Sequence, residues 1–353
     1  MISSLYLRNF RNYKELELTF SPGFNVFCGD NAQGKTNLLE AIALVSTGRS
    51  FRAEILSDLI RAGETFFFIE AKLLKEGVSH TVQIAFDGQE KKLNLDGNGY
   101  TTLQHLLGLL PSVLHAPTDS ELIDGAPTLR RRFLNLHLAQ RDTLYIHYLS
   151  RYWRAMKQRN ALLRAKDPAA IEPWEVEMAS AASYLLQKRQ QLFTELKTPL
   201  QEKGLMLSTR KETVQLHFEP STPPSIEHYL SVLKKNRSRE QQLGLTLTGP
   251  HRDDFTFLVD GRPAKAYASE GQKKTATAAL RLAEWELFKN ALGFPALFSL
   301  DDIALHLDET RQSLLSHAFE HLGQVFLTAT HLPTTWKHPE GTKQFTVTNG
   351  TVS

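Results

Sequence analysis

Gly29-Asp30-Asn31-Ala32-Gln33-Gly34-Lys35-Thr36 fits the pattern G-x-x-x-x-G-K-[ST], and the rest of the chain is read from it. An apolar stretch from Phe24 to Cys28, broken only by Asn25, precedes the loop. A helical pattern, Asn37-Leu38-Leu39-Glu40-Ala41-Ile42-Ala43-Leu44, follows it. Strand, loop and helix in that order are the setting in which such a loop cradles phosphate. Successive backbone N–H groups point inward, and the helix behind presents its positive end to a multiple anion. Lys35 is then expected to bridge the β- and γ-phosphates, and the Thr36 hydroxyl to hold Mg²⁺. A glycine turn that merely ends in Lys-Thr is the plainer alternative, and the flanking strand and helix disfavour it.

Upstream, Leu5 and Leu7, then Leu16, Leu18 and Phe20, fall at period two and predict two strands in residues 1–20. The polar turn Asn9-Phe10-Arg11-Asn12-Tyr13 lies between them, and Arg11 is either a nucleotide contact or a solvated turn residue. Downstream, Gly48 should end the first helix. Arg49 and Arg52 suit the negative end of that helix. Residues 66–100 predict an antiparallel meander, with Val82, Ile84 and Phe86 alternating before Asp87-Gly88, and Leu93 and Leu95 before Asp96-Gly97.

From about 127 to 210 the pattern turns helical and basic. Thr128 is placed to cap a helix with Arg130, Arg131 and Arg132 in its first turn, where three cations oppose the dipole. Either acids such as Asp119, Glu121 or Asp124 pair with them, or an anionic ligand does. Arg151, Arg154, Lys157, Arg159, Arg164 and Lys166 follow, with Tyr148, Tyr152 and Trp153 nearby. Arg151, Arg154 and Lys157 share one helix face, which is either solvated or a nucleic-acid surface. Lys234, Lys235, Arg237 and Arg239 form a second basic cluster, and Glu219-Pro220-Ser221-Thr222-Pro223-Pro224 is expected to be a surface loop.

Buried-strand runs return at Leu297–Leu300, closed by Asp301-Asp302, and at Val325-Phe326-Leu327. Asp301 suits the acidic partner that a phosphate loop needs for Mg²⁺, and Asp302 a base or water-orienting group. A solvated pair of carboxylates is the alternative. Ser269-Glu270-Gly271-Gln272 precedes a strong helical pattern through Ala276, Ala279, Leu280, Ala283 and Leu287. Ser269 and Gln272 form a capping box, and a capped helix start also suits an anion. The expected architecture is α/β. A phosphate-binding head, residues 1–115 and 245–353, is split by a mainly helical second lobe, residues 116–244.

Composition narrows the classes. The 353 residues are 41% hydrophobic and 22% charged, with net charge +3, which is ordinary for a globular protein. The longest apolar runs, such as Phe66-Phe67-Phe68-Ile69, are too short to span a bilayer. A single cysteine, Cys28, rules out a disulfide or a cysteine zinc site within one chain and is expected in the core. No secretory pattern is read at the start, and the expected location is the cytoplasm.

These motifs together resemble the RecF family of bacterial recombination mediators, related to the ABC-type heads of Rad50 and SMC proteins. The resemblance runs from Asn9-Phe10-Arg11-Asn12 and the phosphate loop through Gly48-Arg49-Ser50-Phe51-Arg52, Pro117-Thr118-Asp119, Gly125-Ala126-Pro127 and Arg131-Arg132-Phe133-Leu134. It continues through Leu247-Thr248-Gly249-Pro250-His251-Arg252-Asp253-Asp254, the Ser269–Gln272 signature, Leu300-Asp301-Asp302 and Leu307-Asp308. It implies an ABC-type P-loop ATPase head with mixed sheets, binding ATP and Mg²⁺ through residues 29–36 and Asp301. It implies ATP-dependent homodimers in which Ser269, Gly271 and Gln272 of one protomer face the nucleotide on the Lys35 loop of the other. It further implies weak, regulatory ATP hydrolysis with Lys35, Asp302 and Ser269 in catalytic roles. Binding to single-stranded DNA and gapped duplex, cooperation with RecO and RecR, RecA loading and the SOS response follow from the same resemblance. His306 stands where the family usually has glutamate, and His331 lies at a possible switch position. A transporter ATPase subunit, an SMC or Rad50 head, a GTPase and a nucleotide-gated scaffold without DNA binding are the rival readings. The long insertion, the absence of sustained heptads and the absence of an Asn-Lys-x-Asp guanine reader argue against the first three.

Overall fold

The computed structural model describes residues 1–167, 170–302, 313–314, 317–319, 321–331 and 341–353. The expectations for Leu305-His306-Leu307-Asp308 lie outside them. The chain divides into two compact units, residues Met1–Asp119, Met206–Thr209 and Thr277–Ser353 in one, and Ser120–Leu205 and Arg210–Ala276 in the other.

In the first unit, β1 (Ile2–Phe10) and β2 (Tyr13–Thr19) pair antiparallel, as their alternation predicts. The chain continues through β3 (Phe24–Cys28), α1 (Lys35–Thr47), β4 (Phe67–Lys75), β5 (Val78–Phe86), β6 (Lys91–Leu95), β7 (Asn98–Tyr100) and β8 (Ser112–His115). One six-stranded sheet has the order β2-β1-β4-β5-β6-β7 and is antiparallel throughout. Its apolar residues, among them Leu5, Leu7, Ile69, Val82 and Ile84, join Leu38, Leu39, Ile42 and Leu44 of α1 in one buried core. Gly48 ends α1 in the left-handed conformation, its N–H bonded to Leu44 O.

The second unit begins with α2 (Glu121–Asp124), α3 (Pro127–Arg141), α4 (Thr143–Ala165) and α5 (Ile171–Leu207), the last ending in the first unit. β9 (Val214–Glu219), α6 (Ile226–Leu243), β10 (Asp254–Val259), β11 (Arg262–Pro263) and α7 (Ala264–Tyr267) complete it. α3 starts with Pro127 at its first position and Ala126 as its cap; Thr128 lies inside the helix and does not cap it. The expected return to the head at residue 245 also shifts. Strand β10 pairs antiparallel with β9, so residues up to Ala276 stay with the helical unit.

α8 (Glu270–Leu292) carries the chain back, followed by β12 (Leu297–Asp301), β13 (Val325–Ala329), β14 (Lys343–Thr348) and β15 (Thr351–Val352). The second six-stranded sheet of the first unit has the order β15-β14-β3-β13-β12-β8. From β14 to β8 all pairs are parallel, so the carboxyl ends of β3, β13 and β12 lie together. That edge is where open parallel sheets place ligands. Every residue of β12 and β13 is buried, which explains why they read as short continuous apolar runs. Cys28 differs from expectation. It is the last residue of β3, only half-buried, with Gln344 Nε2 donating to its sulfur at 3.6 Å.

Candidate nucleotide site

The phosphate loop leaves β3 and enters α1 directly. Gly34 has φ +117°, and a Cβ there would come within 2.5 Å of Asn12 Nδ2 and 2.9 Å of the Tyr13 hydroxyl oxygen. The position therefore demands glycine. The same neighbours brace the loop. Asn12 Nδ2 donates to Gln33 O at 2.9 Å, and the buried Tyr13 hydroxyl donates to Gly34 O at 3.0 Å. From the β14–β15 turn, Asn349 N donates to Gln33 Oε1 at 2.6 Å and Gly350 N to Gln33 O at 3.2 Å. The Asn12–Tyr13 turn was visible in the sequence as a polar break between strands. The Asn349-Gly350 turn carried a recognisable turn dipeptide, but nothing local linked it to residue 33.

Lys35 is buried, and its Nζ donates to Gly29 O at 2.6 Å and Asp30 O at 3.0 Å. The ammonium is thus held over the loop. The Thr36 hydroxyl donates to Asp301 Oδ1 at 2.8 Å, and Thr328 Oγ1 donates to the same oxygen at 2.8 Å. Thr328 comes from β13, the strand between β3 and β12. Asp302 has φ +50°, and its N–H donates to Thr328 Oγ1 at 3.0 Å. Burial pushes the Asp301 carboxyl up; bonds from Thr36 and Thr328 lower it, and the neighbouring Asp302 raises it further. Asp302 Oδ1 is buried with no hydrogen-bond partner among the described residues. The Thr36 hydroxyl and the buried Asp301 carboxylate form a hard-oxygen pair that fits Mg²⁺, and the orphaned Asp302 oxygen stands beside them at the end of β12.

Arg11 is half-buried and engaged with the first helix. It forms a fork with Glu40, Nε and Nη2 each at 2.8 Å, and donates to Asp58 O at 2.7 Å. Glu40 is fully buried and also accepts from the Ser50 hydroxyl. The sequence signalled Glu40 only as one polar residue in an apolar helix. Arg52 Nη1 donates to Asn37 Oδ1 at 3.2 Å, and Asn37 Nδ2 donates to Asn12 Oδ1 at 2.8 Å. His331 is exposed and contacts Thr330 Oγ1 at 3.2 Å.

In the second unit, Ser269 and Gln272 make the reciprocal capping box. Ser269 N donates to Gln272 Oε1 at 2.9 Å, and Gln272 N to Ser269 Oγ at 3.3 Å. Lys273 is tied to Asp124 and Glu270.

The basic candidates separate. Arg130 is buried and forks onto Asp254 at 2.7 and 2.9 Å. Arg131 is half-buried and Arg132 exposed. Arg151 forks onto Glu177 at 2.5 and 2.6 Å and lies over the Tyr148 ring. Arg154 and Lys157 are exposed. Arg159, read with the same basic stretch, is fully buried against Glu175 and Glu240.

The Gly-Pro-His-Arg-Asp-Asp run organises the second unit. Asp253 is fully buried, accepting from Arg189 at 2.6 Å, from Ser221 N and Thr222 N at 2.7 and 3.0 Å, and from Thr222 Oγ1 at 2.9 Å. The Pro-rich stretch expected at the surface is therefore fastened to a buried carboxylate.

The sequence model of the RecF/RecN/SMC N-terminal domain matches residues 1–353. DNA replication and repair protein RecF of Protochlamydia amoebophila is 43% identical over 336 residues, 93% of this chain and 94% of that protein. The chain belongs to the RecF family of DNA replication and repair proteins. Its RecF relative from Chlamydia caviae is 41% identical over 94% of this chain and 92% of that protein. A solved structure of the recombination mediator protein RecF with ATP, from the RecFOR pathway, aligns with TM-score 0.91 and 28% identity, covering 100% of this chain and 96% of that chain. An SMC head bound to the C-winged helix domain of ScpA aligns at TM-score 0.60 and 16% identity, covering 99% and 95%, a likeness of fold alone. The RecF-family architecture is accordingly a mixed α/β, ABC-type ATPase head. Among the described residues no helix is long and apolar enough to cross a membrane.

Proposed function

We propose that this RecF-family chain binds ATP with Mg²⁺ and uses the nucleotide to join two protomers on DNA. The observation that carries the reading is the Thr36–Asp301 contact behind Lys35, which joins the start of α1 to the carboxyl end of β12 across the intervening β13. Residues 29–34 offer backbone N–H groups, Lys35 a cation, and Thr36 and Asp301 the oxygen donors for Mg²⁺. When bound, the metal neutralises charge on the phosphates. Asp302 is the candidate to orient water, through its unpartnered oxygen. Hydrolysis is read as weak and regulatory. Ser269, Gly271 and Gln272 are read as the elements that close on the partner's nucleotide, since a capped helix start favours an anion. The family likeness supports a role with RecO and RecR at gapped duplex, aiding RecA loading in the cytoplasm.

A nucleotide-gated scaffold without DNA binding is the second reading. It draws on the commitment of Arg130, Arg151 and Arg159 to carboxylates. Binding to gapped duplex with and without ATP across a salt series, with sedimentation of the same samples, separates the two. ATP-dependent, salt-sensitive binding alongside a dimer supports the DNA reading. A dimer that binds no DNA supports the scaffold.

A further inference from the structure

We propose that Trp153, Arg252 and Arg131 form a contact site for single-stranded DNA on the second unit, with the indole stacking on an unpaired base and the two guanidiniums holding adjacent phosphates. The proposal rests on the DNA-binding reading above and assigns it a place.

Trp153 is 45% exposed, although Tyr152, its neighbour in α4, is fully buried. The Tyr152 hydroxyl bonds to His251 Nδ1 at 2.6 Å, which fixes α4 against the 249–253 loop at this turn. The Trp153 ring meets His251 edge-on, centroids 6.4 Å apart. The indole is thus held in place while nearly half its surface stays open. Arg252, next in the chain, is exposed; its backbone N–H donates to Gly249 O at 2.8 Å, but its guanidinium has no hydrogen-bond or ion-pair partner among the described residues. From α3, Arg131 Nη1 donates to Asp253 O, on the same loop, at 3.3 Å.

The local carboxylates are already matched. Asp253 is paired with Arg189 and Asp254 with Arg130, which leaves Arg131 and Arg252 as unbalanced cations. Their proximity is felt. Burial and the nearby Arg189, Arg252 and Arg130 hold the Arg131 guanidinium below its ordinary value, against the pull of Asp254. Arg154, beside Trp153 in sequence, adds an exposed cation. An exposed tryptophan with arginines is also the composition of protein hot spots. The uncompensated charge favours a polyanion, and an indole can stack only on a base that is not already stacked in a duplex.

The test uses the full chain with ATP and Mg²⁺, a labelled oligo(dT) and a blunt duplex, each over a salt series. Trp153→Ala should weaken oligo(dT) binding about 5- to 150-fold without changing the salt slope, the range expected for one lost base–aromatic stack. Trp153→Phe should restore most of it. Arg252→Ala should lower the single-strand slope by about 0.7, one phosphate contact. Duplex affinity of Trp153→Ala should change little. Wild-type oligo(dT) binding by both alanine variants would overturn the site, and so would equal losses on duplex. If the unaltered chain binds neither DNA, the reading on which the site rests fails as well.

Discussion

Thr36 donates its hydroxyl hydrogen to Asp301 across 2.8 Å, although 265 positions separate them in sequence. Thr328 donates to the same oxygen, so one buried carboxylate is fixed from the start of α1 and the end of β13 before any cation is considered. Asp301→Asn keeps an oxygen acceptor for both hydroxyls and removes a charge that burial disfavours. The nucleotide-free variant should therefore melt at the same temperature or higher, while Mg²⁺ should lose its effect on ATP affinity. Thermal melts with ATP, with and without Mg²⁺, measure both. An Asp301→Asn protein with full Mg²⁺ dependence would remove this residue from the metal site.

Lys35 and Ser269 should separate nucleotide binding from assembly. Lys35→Ala removes the ammonium held over the loop and should abolish both ATP binding and the ATP-dependent dimer. Ser269→Arg loses a helix cap, costing about 1 kcal/mol. It should leave monomer ATP binding largely intact yet block the dimer. Sedimentation with ATP distinguishes the variants, and normal dimers of Ser269→Arg would refute the sandwich.

Salt dependence should rank the cations of α4 by what they already hold. Arg154 and Lys157 are exposed, so their joint replacement by alanine should lower the duplex-binding slope by about 1.8, two phosphate contacts at about 0.9 each. Arg151 is engaged by Glu177, and Arg151→Ala should lower it less. Equal effects of all three would show that the Arg151–Glu177 pair opens on DNA.

What the sequence disclosed was local. The alternation in β1 and β2, the loop between β3 and α1, the Gly48 stop and the Ser269–Gln272 box each depend on neighbours within a few residues. Sheet order was not legible. Strand β3 sits between β13 and β14, about 300 positions away, and short buried strands carry no sign of their partners. Charge pairing was not legible for the same reason. Arg159 reads only as one member of a basic stretch, because its partners Glu175 and Glu240 lie on other helices where helical spacing cannot reveal them. The Pro-rich segment had a loop's composition, and only the fold shows Ser221 and Thr222 wrapped on Asp253.

That buried pair makes a stability prediction. Arg189 and Asp253 are 1% and 0% exposed, 2.6 Å apart. Arg189→Met leaves the carboxylate in the core and should destabilise the protein by about 3–5 kcal/mol, the usual consequence of orphaning one member of a buried pair. Arg189→Lys should recover part of this, because the fork also serves Pro250 O and Asn135 Oδ1. Urea melts of the three proteins provide the measurement. A loss under about 1 kcal/mol for Arg189→Met, the scale of exposed pairs, would mean that water reaches Asp253.

His251 should make stability fall on mild acidification. Burial pushes its imidazole down to about 4; the nearby Arg252 and Arg131 lower it, while Asp253 and the bond to Thr246 raise it. Nε2 lies 3.0 Å from Thr246 O, a carbonyl that can only accept, so Nε2 carries the proton. In the neutral ring Nδ1 must then accept from the Tyr152 hydroxyl at 2.6 Å. Above about pH 6.5, the ordinary histidine value, folded and unfolded chains both hold the ring neutral, and the full contribution is present. Below it the unfolded chain takes up a proton that the folded one refuses until about pH 4. Stability should drop across that window, by at most about 1.4 kcal/mol per pH unit from this group. Carboxylates with lowered values, Asp119 and Asp254 among them, lose their contributions at lower pH. Denaturant melts at pH 7, 6 and 5 on the unaltered chain and on His251→Gln isolate the histidine. The variant, whatever its absolute stability, should lack the decline, and equal declines in both proteins would show that His251 is not held neutral by the fold.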